Sequence, residues 1–120
     1  MSDVIEWVLE LEVSAGQADG MTDLLEEMVA ATKANEPGAL HYEYYISDDG
    51  TRVTSLERYA DNAAAMTHLA NFGAQFAERF LATFAPLRFS VFGPAGADLR
   101  AGVAAFGAEH MAFHKGFARG

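Results

Sequence analysis

The sequence predicts one α+β domain with the element order β-α-β-β-α-β and an antiparallel sheet. Three observations carry this. Alternating apolar residues mark a strand near each end of the first 93 residues, two aromatic-rich segments in the middle are joined by Asp48-Asp49-Gly50-Thr51, and helical apolar spacing fills the two stretches between.

Residues 4–13 read Val-Ile-Glu-Trp-Val-Leu-Glu-Leu-Glu-Val. Ile5, Trp7, Leu9, Leu11 and Val13 share one face while Glu6, Glu10 and Glu12 share the other, which is the pattern of a strand with one buried side. Gly16 ends it. From about Ala18 the apolar positions Met21, Leu24, Leu25, Met28, Val29 and Thr32 follow the i, i+3, i+4, i+7 spacing of an amphipathic helix. That helix is expected to stop before Pro37-Gly38. Leu40–Ser47 and Arg52–Ala60 are rich in β-branched and aromatic residues, and Gly50 or an Asp supplies the positive φ a tight hairpin needs. Asp61 can cap the next helix with its carboxylate, Ala63-Ala64-Ala65 favours it, and Gly73 is expected to interrupt it. Helix then resumes over Ala74–Phe84. Leu87, Phe89 and Val91 alternate in a last strand that Gly93-Pro94 closes. The whole is a ferredoxin-like split βαβ arrangement, with two helices covering one face of the sheet.

The chain has 120 residues, 51% of them hydrophobic and 21% charged, which is ordinary globular composition and the length of a single domain. No Cys is present, so disulfides, thiolate chemistry, Fe–S clusters and Cys-ligated zinc are excluded. Charge is uneven: residues 1–60 carry 13 acidic and 3 basic groups (−10), residues 61–120 carry 4 and 5 (+1). No basic stripe is available to displace counterions from a phosphate backbone, so nucleic acid is not an expected partner. Charge interrupts every apolar stretch, and no basic segment precedes an apolar one at the start. No membrane span and no signal peptide are therefore expected, and the protein is expected to be cytoplasmic.

A four-stranded sheet covered on one side leaves its other face to water or to a second subunit. Val4 and Val8 lie among the glutamates on that face, and Tyr45 lies opposite Leu40, Tyr42, Tyr44 and Ile46. A homodimer that buries two sheets face to face is expected. Residues 1–93 are read as the domain and residues 94–120 as a C-terminal extension. The extension has a short helical pattern over Asp98–Phe106, and its Phe106, Met111, Phe113 and Phe117 are too apolar to trail in water. It is expected to pack on the domain or on the partner subunit.

Four groups of residues can carry chemistry. His68 lies on a helix with Phe72 and Phe76 at i+4 and i+8 and with Asn71 close by. An imidazole among aromatics is a candidate general base, set against the plainer reading of a helix-surface or backbone-satisfied histidine. Phe72, Phe76, Phe80 and Phe84, spaced by four, either pack the core or wall a pocket for a flat aromatic ligand. Tyr42, Tyr44, Tyr45 and Tyr59 cluster with Glu57 and Arg58 across the hairpin. Glu57 shares parity with Val53 and Tyr59, so that face is wet or the carboxylate is buried with a partner. His110 and His114, four apart, would share a helix face, but Gly107 and Gly116 argue against the helix and no further ligand accompanies them, so no metal site is assigned. His41 stands alone, and no phosphate loop, nucleophile elbow or dinucleotide fingerprint occurs.

The run Glu36-Pro37-Gly38-Ala39-Leu40-His41-Tyr42-Glu43, the hairpin, Leu56-Glu57-Arg58-Tyr59 and then Ala64 followed by His68-Leu69-Ala70-Asn71 resemble the antibiotic biosynthesis monooxygenase (ABM) family of dimeric α+β barrels. The resemblance covers about residues 4–92. It implies a ferredoxin-like subunit, a homodimer formed through the sheets and a pocket between sheet and helices. The family includes cofactor-independent oxygenases of polycyclic phenols, quinol monooxygenases and haem-degrading enzymes. The haem-degrading branch is disfavoured, because its first-strand asparagine would fall near Leu9 and its iron-binding histidine near Glu78. Tyr59 stands where the family often has Trp.

What the resemblance implies for mechanism is abstraction of a phenolic proton by His68, after which the electron-rich anion passes an electron to O₂ with no cofactor. Phe72, Phe76 and Trp7 would exclude water, while Tyr44 and Asn71 orient a small aromatic substrate. Tyr42 and Glu57 complete the expected substrate-binding set. The alternatives are a non-catalytic small-molecule-binding dimer that uses the same cavity and an interaction module that recruits a partner through its acidic strands.

Overall fold

The computed structural model describes residues 2–119, so Met1 and Gly120, the outer ends of the two expected segments, lie outside the described residues. The expected elements are present in the expected order. They are β1 (Ile5–Val13), α1 (Ala18–Asn35), β2 (Ala39–Ile46), β3 (Arg52–Tyr59), α2 (Asn62–Gln75), α3 (Ala77–Thr83) and β4 (Phe84–Phe92). Beyond them come α4 (Ala97–Val103), a 3-10 turn Ala104–Phe106 and a short β5 (Glu109–Met111). The sheet order is β2-β3-β1-β4-β5. The first three pairings are antiparallel, as expected, but β5 adds a parallel strand beside β4 and makes the sheet mixed.

The period-two pattern of β1 sets the core. Ile5, Trp7, Leu9 and Leu11 are buried on the helix side, joined there by Val53 and Tyr59 of β3 and by Phe89 and Val91 of β4. From α1, Met21, Leu24 and Met28 close over them, and Phe80 and Phe84 seal the end with ring centroids 5.0 Å apart. The expected cap forms, the Asp61 carboxylate accepting from the Ala64 amide at 2.8 Å.

Two expectations need correction. Helix α2 runs through Gly73 and breaks instead at Phe76, where φ −128° and ψ −18° interrupt the helical path. One glycine costs a helix only about 1 kcal/mol, and across the break Phe72 packs against Phe80 with ring centroids 5.1 Å apart. Strand β4 begins at Phe84 rather than Leu87. Its register against β1 shifts between Glu10 and Leu11, and Pro86, which has no N–H to offer, sits at that irregularity. His110 lies on β5 and His114 beyond it, so the two do not share a helix face. Among the described residues no three His, Cys, Asp or Glu side chains gather as a metal site.

The segment after Phe92 divides in two. Leu99 and Val103 of α4 are fully buried, and Phe106 stacks edge-on against Phe89 at 5.9 Å, so residues 97–111 pack on the sheet and helices. Residues 112–119 do not return to the protomer: Phe113 is 65% and Phe117 81% exposed. No helix is long and apolar enough to cross a membrane.

Candidate active site

The site forms where the C-terminal end of α1 meets α2 above the β2–β3 hairpin. Pro37 disfavours helical geometry at the residue before it, and Glu36 leaves the helix at φ −128° and ψ 81°, its amide still bonded to the Thr32 carbonyl. This turn carries the Glu36 side chain inward, where it is 6% exposed. Gly38 then lets α2 come close, since a Cβ there would lie 2.6 Å from the Ala64 Cβ.

His68 points from α2 into the protein and is buried. Its Nδ1 lies 3.0 Å from Glu36 Oε1, and Asn71 donates from Nδ2 to Glu36 Oε2 at 3.2 Å. On its other side Nε2 is 3.5 Å from Glu57 Oε1. Glu57 is buried as its parity allows, and accepts from Tyr59 Oη at 2.5 Å and Ser55 Oγ at 2.7 Å. One imidazole thus stands between two buried carboxylates, and every oxygen of those carboxylates has a donor or a ring nitrogen beside it. This settles the histidine's surroundings in favour of neither simple reading: it is neither surface-exposed nor satisfied by backbone.

Burial pushes the Glu36 carboxyl up, but the hydrogen bond from His68, the charge of His68 and the bond from Asn71 outweigh it and hold Glu36 below its ordinary value. Glu36 is therefore an acceptor-only carboxylate at neutral pH, and Nδ1 of His68 carries the hydrogen between them. Burial, and then the charge of Glu57, push the phenols of Tyr42, Tyr44 and Tyr59 well above their ordinary range. These tyrosines act as hydrogen-bond donors, never as bases.

A cavity adjoins the array on the Glu36 side, lined by Tyr42, Asn71, Phe72, Phe76, Glu36 and His68 with parts of α1. Its volume is about 10 Å³, room for one water. Five of the eight residues expected to form the site, His68, Tyr42, Asn71, Phe72 and Phe76, line it. Tyr44 lies behind Tyr42, hydroxyl to hydroxyl at 2.9 Å, and Glu57 lies beneath His68. Trp7 does not reach the cavity. It is core, tilted on Tyr59 at 4.7 Å and edge-on to Phe89 at 5.5 Å, so the expected water-excluding box lacks this wall. Arg58 points to the opposite face of the sheet, where it pairs with Glu6. Glu36 is the residue that sequence reasoning missed as a site group. Its signal was a carboxylate held at the Pro37-Gly38 helix stop.

The sequence profile described as antibiotic biosynthesis monooxygenase matches residues 5–85, which hold the array and its cavity. The chain belongs to this family. Among solved structures, it is similar to MupZ from Pseudomonas fluorescens at 22% identity, with 98% of this chain and 96% of that chain covered and a TM-score of 0.85. SnoaB from Streptomyces nogalater, described as a cofactor-independent oxygenase, aligns at 18% identity over 80% of this chain and 97% of that one, with a TM-score of 0.65. Rv0793 from Mycobacterium tuberculosis aligns at 23% identity over 78% and 96%, with a TM-score of 0.60. At these identities the likeness is one of fold, and the MupZ match extends it through the C-terminal segment. No curated relative matches the sequence.

Proposed function

We propose that this ABM-family protein is a cofactor-independent monooxygenase of a hydroquinone or polycyclic phenol, and that the Glu36–His68 pair takes the phenolic proton. The observation that carries this reading is the buried imidazole between two carboxylates beside a cavity that Asn71 and Tyr42 border. A phenol oxygen placed there meets the Glu36 carboxylate, held by the Nδ1–H of His68, as base, and the Asn71 amide and Tyr42 hydroxyl as donors to the phenolate. A positioned base of this kind contributes roughly 10²–10⁴-fold. The phenolate passes one electron to O₂. The resulting radical and superoxide join at a ring carbon as a hydroperoxide, and loss of one water leaves the quinone. Substrate plus O₂ thus equals quinone plus water, with all electrons drawn from the substrate.

The second reading, a non-catalytic small-molecule-binding dimer, uses the same cavity, which admits no aromatic ring as it stands, so either reading requires its walls to part. Oxygen uptake by the metal-free protein, measured against hydroquinones and polycyclic phenols, separates the two. Uptake that falls at least tenfold in both His68→Ala and Glu36→Gln supports the monooxygenase. Uptake unchanged in both removes the pair from the chemistry, and ligand binding without uptake selects the second reading. A separate absorbance titration with haem tests the disfavoured branch.

The same reading has the chain work as a homodimer. Val8, Leu56 and Phe92 are half-buried on the sheet face that no helix covers, and Tyr45 and Met111 are exposed on it. The Glu6–Arg58 pair lies among them. A stable dimer of standard size would bury about 800 Å² on each partner.

A further inference from the structure

We propose that residues 112–119 of one protomer lie in the groove between α1 and β2 of a second copy, with Phe113 and Phe117 filling it. The inference rests on the face-to-face dimer of the preceding section and adds to it a specific exchange of segments.

The groove holds about 410 Å³, against about 10 Å³ at the His68 cavity, and is within the range of sites that bury several apolar groups. Met21, Leu25 and Val29 of α1 form one wall, and Tyr44, Tyr45 and Ile46 of β2 the other. Ile46 is 55% exposed and Tyr45 53%, so an apolar surface opens at the sheet margin with nothing of its own protomer on it. Beta2 is also an edge strand, bonded only to β3, and its outer N–H and C=O groups are free to receive an extended segment.

The tail has the complementary character. Two exposed aromatics stand four residues apart in a stretch without helix or strand. Residues 112–119 contain His114, Lys115 and Arg119 and no acid, while α1 presents Asp19, Asp23 and Glu26 at the surface, Glu26 on the groove itself. Cationic and aromatic residues thus face an acidic, apolar channel.

Topology assigns the tail to a second copy. Beta5 and β2 are the two edges of the sheet, four strand spacings or about 19 Å apart, and residues 112–119 that follow β5 are all exposed. In a pair of sheets packed face to face about a two-fold axis along the strands, left and right exchange. The β5 edge of each protomer then lies over the β2 edge of its partner, where an eight-residue extended segment reaches the groove.

The chain has no Cys, which permits a clean crosslinking test. Full-length Ile46→Cys and Phe117→Cys proteins are mixed and oxidised, and the Ile46→Cys/Phe117→Cys double variant is oxidised at high dilution. The expected result is a covalent dimer from the mixture and at least a tenfold weaker dimer for Phe113→Ser/Phe117→Ser by sedimentation. A dimer that forms no disulfide between the two introduced thiols overturns the tail exchange but keeps the face-to-face dimer. A bond formed within a single chain places the tail in its own groove and also overturns the proposal. A monomer at all concentrations removes the dimer reading and the exchange with it.

Discussion

Replacing His68 by Leu should reverse the sign of the pH dependence that Glu36 gives to stability. In the wild-type protein the Glu36 carboxyl is held below its ordinary value, so its ionised form is favoured by folding. That contribution is fully present above the unfolded value, near 4.3, and is lost as pH falls through the lowered folded value. Burial is the largest influence on Glu36 and acts in the opposite direction. With the His68 bond and charge gone, burial prevails and the folded value rises above the unfolded one. The contribution of this carboxyl is then present at low pH and lost as pH rises through the raised value.

The size follows from the burial of both partners, whose side chains are 7% and 5% exposed. Breaking a buried pair by removing one member costs about 3–5 kcal/mol, a large part of the roughly 5–15 kcal/mol that holds a domain folded. At a urea m-value of about 2 kcal/mol/M this lowers the midpoint by roughly 1.5–2.5 M at pH 7. Urea midpoints between pH 4.5 and 7.5 are the assay, with Trp7 fluorescence as probe. The gap between wild type and His68→Leu should narrow as pH falls, and adding Glu36→Gln to His68→Leu should remove most of that narrowing. A gap below about 0.3 M, or one independent of pH, would falsify the picture of a buried carboxylate dependent on His68.

Tyr59→Phe deletes the 2.5 Å donor to Glu57 while keeping the ring that packs on Trp7, and should cost about 1–3 kcal/mol in urea denaturation; no loss would mean that Ser55 and His68 suffice. Gly38→Ala should cost roughly 1–3 kcal/mol because its Cβ meets that of Ala64. The cost should vanish when Gly38→Ala is made in an Ala64→Gly background, and a cost equal in both backgrounds would place its origin elsewhere. Phe80→Ala, at a fully buried ring in contact with Phe72 and Phe84, should lose about 3–5 kcal/mol by the same assay.

Most of the fold was legible because each element carries its own period. Beta1 alternates cleanly, and α1 places Met21, Leu24, Met28 and Thr32 on one stripe that is the buried stripe of the structure. The misread features depend on residues distant in sequence. The break at Phe76 has no Gly or Pro to announce it and follows from packing across the bend. Strand β5 is three residues long, too short for any period, and exists through its parallel pairing with β4. Within the site, parity alone marked Glu57 as a carboxylate on a buried face. Glu36 carried no such mark, because its inward course depends on the dihedral angles Pro37 imposes and on a histidine 32 residues away.

The proposed chemistry also constrains where the protein must open. A ring cannot enter a 10 Å³ space, so the walls must part, and they are not equally free to do so. The N-terminal half of α2 is fixed by the close approach of Ala64 to Gly38, by the Asp61 cap and by the His68–Glu36 bond. Beyond Asn71, which bonds Glu36, and Phe72, which packs on Phe80, the C-terminal end has no comparable tie. Its last turn ends at Phe76 without a side-chain cap, Gly73 lowers its helical preference, and Gly73, Ala74 and Gln75 are exposed. Local opening is cheapest where few contacts and few caps hold the backbone. Gln75 and Phe76, which line the cavity on this side, are therefore the residues whose movement would admit a substrate under the proposed function. The proton-accepting pair stays in place because it hangs from the anchored end of the same helix.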